Sequence, residues 1–393
     1  MSLVESELGG PTVFKDLSKL DFDYVPEELP GRDDEIRFLI RTFKGLTEGA
    51  NRENALIQGP VGTGKTAMAK LFARDFANVL RTKGKTLETV VVNCRRRKTS
   101  GLAMLGILNH FEPHYPERGF GVGEMQRDLR KHLARRDCHL LVILDEVDAL
   151  LRADGSDLVY DLTRWNDETG PSWNGVSLIL VSQHNVLEQM DDAARSTFKT
   201  NVLNVLPYGS SALEQIVKQR ADLAFQPGAV DEDSICLIAD ASSIEGNARS
   251  AIEVLWKAGV HADDHRRDRV VANDVRTAKA EVHSFLTESK LRNLSKHPLL
   301  ALLSLARRLE RDQSAYATTG SVEDTYKLVC EEYGEEPRGH TMFWKYLKQL
   351  QDAGMILARL SGKGQAGTTQ LISIPDAPSD MVQEKVGEIL KTA

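Results

Sequence analysis

The stretch Ala55-Leu56-Ile57-Gln58-Gly59-Pro60-Val61-Gly62-Thr63-Gly64-Lys65-Thr66 decides the fold. A short β-type run enters a turn matching G-x-x-x-x-G-K-[ST], and a helical pattern, Ala67 to Leu80, leaves it. Strand, glycine-rich turn and helix in that order form the context a phosphate-binding loop requires. Gly59, Pro60, Val61, Gly62, Thr63 and Gly64 supply a backbone whose N–H groups can close around a β-phosphate. The helix N-terminus adds a partial positive charge. Lys65 brings a full charge to the β- and γ-phosphates of ATP or ADP, and the Thr66 hydroxyl is placed to ligate Mg²⁺.

Four more β-type runs surround this one between about Asp21 and Leu206: Val90 to Val92, Leu140 to Leu144, Ser177 to Val181 and Val202 to Leu206. Helical patterns separate them. Apolar runs without polar alternation predict strands buried on both faces of a parallel sheet, hence a doubly wound α/β core. The run ending in Asp145-Glu146 places two acids at a strand tip. Asp145 is the expected Mg²⁺ partner, and Glu146 is the expected group to orient an attacking water. Asp148 reads as a helix cap or structural partner. Ser177 to Val181 runs into Ser182-Gln183-His184-Asn185, where a polar amide can contact a γ-phosphate; Gln183 is the first choice and Asn185 the second.

After Pro207-Tyr208-Gly209-Ser210 the strand signal stops. Ala212 to Phe225, Asp231 to Ser242, Asn247 to Ala262 and Asn273 to Leu286 read as helices, an all-helical domain. Gly246-Asn247-Ala248-Arg249 opens one of them. Arg249 there is placed either to swing onto a γ-phosphate or to pair with Glu253 one turn along.

From about Ser289 the pattern changes again. Helices at Pro298 to Arg311, at Val322 to Tyr333 (with Ser321 as cap) and at Thr341 to Ala353 precede two β-type runs, Met355 to Leu360 and Thr369 to Ile374. Three helices followed by a glycine-tipped hairpin predict a winged helix-turn-helix. In its third helix Met342, Phe343, Tyr346, Leu347 and Leu350 share one face, opposite Trp344, Lys345 and Lys348. The basic side is then available to a major groove. Between Arg338 and Lys363 the cations are Arg338, Lys345, Lys348, Arg359 and Lys363, and Asp352 is the only acid, a local charge of +4 in a chain of net −7. The expected DNA-facing set is Arg338, Thr341, Trp344, Lys345, Lys348 and Lys363, the last on the wing tip among Gly362, Gly364 and Gly367. A solvated basic face or a protein-binding winged helix is the competing reading.

The chain has 393 residues, of which 41% are hydrophobic and 27% charged. That is globular composition with length for two or three domains, and it excludes a wholly disordered chain. The expected boundaries are 1–207 for the nucleotide-binding core, 208–288 for the helical domain and 289–393 for the winged helix. No apolar run approaches the length of a membrane helix and no signal peptide opens the chain, so no membrane partner is expected and the protein is expected in the cytoplasm, associated with the nucleoid. Cys94, Cys138, Cys236 and Cys330 lack the pairing of a zinc site and read as reduced structural thiols. Arg95-Arg96-Arg97-Lys98 reads as a solvated loop before a DNA or acidic-partner contact. His110 and His114 have no third ligand for a metal.

Taken in order, these motifs resemble archaeal replication initiators of the origin-recognition (Orc/Cdc6) type, within the AAA+ ATPases. The resemblance runs from about Val25 to about Ile374. It includes Tyr24-Val25-Pro26, Leu29-Pro30-Gly31-Arg32 with Glu35, Val92-Asn93-Cys94-Arg95, Leu144-Asp145-Glu146-Val147-Asp148, the Gly246 to Arg249 turn and the winged helix. It implies an AAA+ core with a helical lid, an adenine pocket lined by Val25 and Pro26, and Arg249 as the arginine of the second sensor. It also implies that Gly119 to Leu133 is the helical insertion that touches DNA in relatives. Its implied partners are double-stranded origin DNA, the replicative helicase and sibling initiator subunits. Two positions depart from the family: Gln183 stands where the first sensor usually has Asn, and Asp191 to Ser196 replaces the usual Asp-Pro-Arg, leaving Arg195 as a substitute finger. These point to a divergent member with weak or altered hydrolysis. The same residues also suit an ATP-regulated winged-helix transcription factor, a divergent paralogue regulating initiation, or a processive remodeller, though no pore-loop aromatic supports the last.

Overall fold

The computed structural model describes residues 12–49, 53–165, 167, 173–198, 201–282, 287–360 and 370–392. The chain forms two compact units, one spanning 23–207 and the other made of the segment up to Phe22 with everything from Tyr208 onward.

Five parallel strands organise the first unit: β1 (Asn54–Gln58), β2 (Thr86–Asn93), β3 (Cys138–Asp145), β4 (Val176–Ser182) and β5 (Val202–Asn204), in the order β2-β3-β4-β1-β5. Every residue of β3 is buried, which is why it reads as an uninterrupted apolar run. Side-chain alternation divides it between two layers. Leu140, Val142 and Leu144 pack with the helices Ser100–Phe111 and Val122–Arg136, whereas Leu141 and Ile143 pack with Asp33–Glu48 and Lys65–Thr82. Each such side chain contributes about 1.5–3 kcal/mol of burial. β2 is longer than its apolar run, beginning at Thr86, because as an edge strand it buries only some positions and exposes Thr86 and Val91. Parallel register brings the last residues of β2, β3, β1 and β4 to one edge, with Asn93 beside Asp145 and Gln58 beside Ser182.

The second unit starts with the helices Ser210–Ala224, Glu232–Ser243, Ala248–Asp264 and Ala272–Val282 around one core. Val13, Phe14 and Leu20 belong to that core. The Val13 N–H donates to Asp263 Oδ1 at 2.7 Å, and the Phe14 and Phe225 rings lie 4.7 Å apart. Gly259 makes this docking possible, since a Cβ there would meet the Phe14 ring at 2.4 Å. Residues 12–22 therefore group with the helices, whereas the 1–207 boundary had assigned them to the nucleotide-binding core. A segment this short carries no periodicity that could have assigned it.

The winged helix consists of Lys296–Asp312, Thr319–Glu332 and His340–Asp352 with an antiparallel sheet of β6 (Ala317–Thr318), β7 (Leu357–Leu360) and β8 (Gln370–Ser373), ordered β6-β8-β7. Thr318, not Ser321, caps the second helix: its Oγ1 accepts from the Ser321 N–H at 3.2 Å. Ser321 lies inside the first turn and donates back to the Thr318 carbonyl. The wing tip, 361–369, with Lys363, Gly362, Gly364 and Gly367, lies outside the described residues. A closing helix, Ser379–Thr392, was not anticipated, although Val382, Val386, Ile389 and Leu390 carry helical spacing and are buried in the winged-helix core.

Polar contacts join the helical layer to the winged helix. Arg276, 2% exposed, donates to the carbonyls of Ile374, Ser314 and Ala315 at 3.0, 2.9 and 3.0 Å. Asp240 accepts from Ser210 Oγ at 2.6 Å, Tyr316 Oη at 2.7 Å and Arg359 Nη1 at 3.5 Å. All four cysteines are buried and free, and no described helix is long and apolar enough to cross a membrane.

Candidate functional site

The phosphate loop bridges β1 and the helix Lys65–Thr82. Its first residue, Gly59, passes so close to the chain beyond β5 that a Cβ would lie 2.2 Å from the Val205 carbonyl oxygen. Gly62 and Gly64 take φ of 77° and 81°, a region that L side chains avoid. Lys65 is 8% exposed, and its ammonium donates to the Gly59 and Pro60 carbonyls at 2.7 and 2.6 Å. Thr63 is buried and its hydroxyl donates to the Pro60 carbonyl. Val61 stands exposed at the loop.

Across from the loop, Thr66 Oγ1 donates to Asp145 Oδ1 at 3.0 Å. Burial raises the Asp145 carboxyl above its usual range, while the Thr66 hydrogen bond opposes that shift. A hydroxyl and a carboxylate meeting at the loop are hard oxygen donors of the kind Mg²⁺ prefers, with phosphate oxygens and waters completing its shell. Among the described residues no cluster of three or more His, Cys, Asp or Glu forms a metal cage.

Glu146 follows in the left-handed region, φ 52°, a conformation uncommon for this residue type. Its carboxylate accepts from Asn93 Nδ2 at 3.2 Å and faces Arg95 Nη1 at 3.7 Å. Asn93 is itself fixed, its side-chain oxygen accepting from the Arg95 and Arg96 N–H groups. Sequence reasoning missed this partner; its signal was an amide ending the strand next to the one that ends in Asp145-Glu146. A polar cavity of about 500 Å³ opens beside Glu146, lined by Arg95, Lys98, Asp148, Arg152 and Gln183 among others. Gln183 thus shares a surface with Glu146, whereas Asn185 is used in a turn, accepting from the Leu187 N–H at 3.0 Å. Asp148 pairs with Arg152 at 2.7 Å, the structural role expected of it. Pro26 is buried and Val25 half-buried in the segment leading to Arg32.

Two further expectations fare differently. Arg195 forms an ion pair with Asp192 one turn back on its own short helix, Asp192–Phe198. The charged run after β2 is not uniformly solvated: Arg97 donates to the Leu102 carbonyl at 3.1 Å and covers Gly106, while Arg96 and Lys98 are exposed.

In the second unit Arg249 is exposed in the first turn of Ala248–Asp264, whose cap Asn247 accepts from the Ser250 N–H. Its guanidinium lies 5.3 Å over the Phe22 ring. On the helix His340–Asp352, Phe343, Leu347 and Leu350 are buried, and Thr341, Trp344, Lys345 and Lys348 are exposed. Met342 departs from the expected apolar face, standing 41% exposed, because at the first turn it projects beyond the core. Arg338 Nε donates to His297 Nε2 at 3.1 Å. Arg359, counted in the local positive charge, stacks 5.5 Å over Tyr316 and pairs with Asp240.

Comparison with known proteins follows the same division. An ORC1-type DNA replication protein of Saccharolobus solfataricus is 33% identical over 92% of this chain and 90% of its own length. The chain belongs to the archaeal ORC1-type/Cdc6 family. Its family models match in series: an AAA domain at 49–190, a Cdc6 AAA+ ATPase-type lid domain at 214–280 and a Cdc6 C-terminal winged helix domain at 289–384. The crystal structure of Cdc6p from Pyrobaculum aerophilum superposes with a TM-score of 0.85 at 26% identity, covering 97% of this chain and 99% of that one. The Aeropyrum pernix ORC1 protein, solved in complex with DNA, gives 0.62 at 30% identity, over 96% and 97%. The ORC1-type fold is thus an AAA+ core with a parallel sheet, a helical lid and a winged helix, and the family's role is in replication initiation.

Proposed function

We propose that this ORC1-type protein is an ATP- and Mg²⁺-dependent initiator that binds double-stranded origin DNA and hydrolyses ATP slowly, as a switch. One observation carries the nucleotide half of the reading: Lys65 on the loop, the Thr66–Asp145 contact and the Asn93-held Glu146 converge at one edge of the sheet. Lys65 and the loop amides would bind the phosphates, Thr66 and Asp145 would hold Mg²⁺, and Gln183 would sense the γ-phosphate. Bound Mg²⁺ would supply charge neutralisation at the phosphates. Glu146 takes up a water's proton and aligns it once its carboxylate leaves Asn93. Arg249 reads the γ-phosphate from the lid.

The DNA half rests on the exposed Thr341, Trp344, Lys345 and Lys348 of the third winged-helix segment, with Arg338 beside it, and on the Aeropyrum pernix relative that was solved on DNA. Recruitment of the replicative helicase, assembly with sibling initiators and a cytoplasmic, nucleoid-associated location complete the reading by family. Thermal unfolding with and without ATP–Mg²⁺ tests it. The wild type should gain about 2.7 kcal/mol at a hundred times Kd, Lys65→Ala should gain nothing, and origin duplex should bind more tightly than random duplex. A wild type indifferent to ATP, or one equally fond of any duplex, defeats the proposal.

A further inference from the structure

Arg32 takes no part in the reaction just described, yet its guanidinium is 4% exposed beside the phosphate loop. Nη1 pairs with Glu35 Oε1 at 2.7 Å, and Nη2 donates to the carbonyls of Thr63 at 3.0 Å and Leu206 at 2.8 Å. Burying a guanidinium is costly unless its donors find acceptors. Here two of those acceptors are main-chain oxygens, one within the loop and one just past β5.

We propose that Arg32 is a positioning residue that aims the phosphate loop at the β-phosphate without touching the nucleotide. The Thr63 carbonyl and the Gly64 N–H belong to one trans peptide and point to opposite sides. Drawing the carbonyl toward Arg32 therefore turns the Gly64 N–H to the other face, where the loop cradles phosphate. The opposite end of the loop is fixed as well, because Gly59 lies under the Val205 carbonyl and Val205 N–H donates to the Gln58 carbonyl at 2.8 Å. The two ends of the cradle are thus tied to adjacent residues, one to Val205 and the other, through Arg32, to Leu206. The planar fork of arginine suits this bridge, and a lysine ammonium, a point charge, does not reproduce it.

The inference rests on the nucleotide-binding reading, and affinities of the full chain for ADP and AMP separate the two. AMP lacks the β-phosphate, so the ADP-to-AMP affinity ratio reports on the cradle alone. Arg32→Lys and Arg32→Ala should weaken ADP by about ten- to a hundredfold and leave AMP nearly unchanged. Glu35→Gln, which keeps Arg32 but neutralises its anchor, should shift the ratio in the same direction by less, and it decides the matter if the Arg32 variants do not fold. An arginine that only stabilised the fold would lower the unfolding temperature and leave the ratio as in the wild type, which would overturn the inference. A wild type that binds neither nucleotide removes the underlying reading instead.

Discussion

The two units use buried charge for different ends. In the unit 23–207, Arg32, Lys65 and Asp145 are buried or nearly so and gather around one loop, where their hydrogen bonds hold its glycine-rich backbone and Thr66 in place. In the other unit, Arg276 is as deeply buried but grips carbonyls that join the lid to the winged helix, and Arg359 and Asp240 form a second such clasp. A charge beside a glycine-rich turn at a strand end points to chemistry. A charge in a basic stretch has no fixed destination, and an ion pair with Asp240 claimed one of the five cations counted around the third winged-helix segment.

The sharpest way to break this contrast is Glu146→Gln. Turnover should fall by about 10²–10⁴ while ATP still stabilises the protein, and a variant that hydrolyses ATP like the wild type removes Glu146 from the reaction. Arg276→Met provides the counterpart. Three carbonyls lose the guanidinium, so urea unfolding should register a loss of about 3 kcal/mol, with nucleotide affinity intact. Reduced ADP binding in that variant would mean the two buried arginine sites are not separate in function.

His139 gives a pH test within the first unit, at a buried polar group away from the loop. Its ring, fully buried, bonds the Trp173 carbonyl through Nδ1 at 3.0 Å and Ser177 Oγ through Nε2 at 2.9 Å. Burial pulls its pKa from 6.5 down to about 4, so the unfolded chain takes up the proton first. Stability should be unaffected by this group above pH 6.5, fall as the pH drops toward 4, and level off below it. The total is up to about 3 kcal/mol. His139→Gln should flatten that part of the stability profile, and an unchanged slope would assign it to other groups.

The smallest effect discriminates between surface and interior cations. Lys345→Ala and Lys348→Ala should each reduce the log–log salt slope of duplex binding by about 0.9. Arg359→Ala should leave the slope alone and lower the unfolding temperature. The reverse pattern would place Arg359 among the DNA-facing cations.

Much of the candidate site was legible because its parts are consecutive: Gly59 to Thr66 is one turn, and Asp145-Glu146 ends one strand. What escaped were groups brought from elsewhere in the chain. Asn93 meets Glu146 only because β2 and β3 pair in register, and Arg32 meets Thr63, 31 positions along the chain, only after the segment between them folds back. Val13 and Phe14 were beyond local pattern for the same reason. The helix Ser379–Thr392 is the opposite case, since its apolar spacing was present and simply unread.

The amino-acid order by itself determined the parallel sheet, the phosphate loop, the helical lid and the winged helix, because apolar periodicity and glycine placement act over neighbouring residues. Only the tertiary structure decided which charges are spent inward and which face solvent, that Arg359 clasps Asp240, and that Arg32 braces the loop. Those choices depend on burial and on acceptors supplied by distant segments, and no local pattern encodes them.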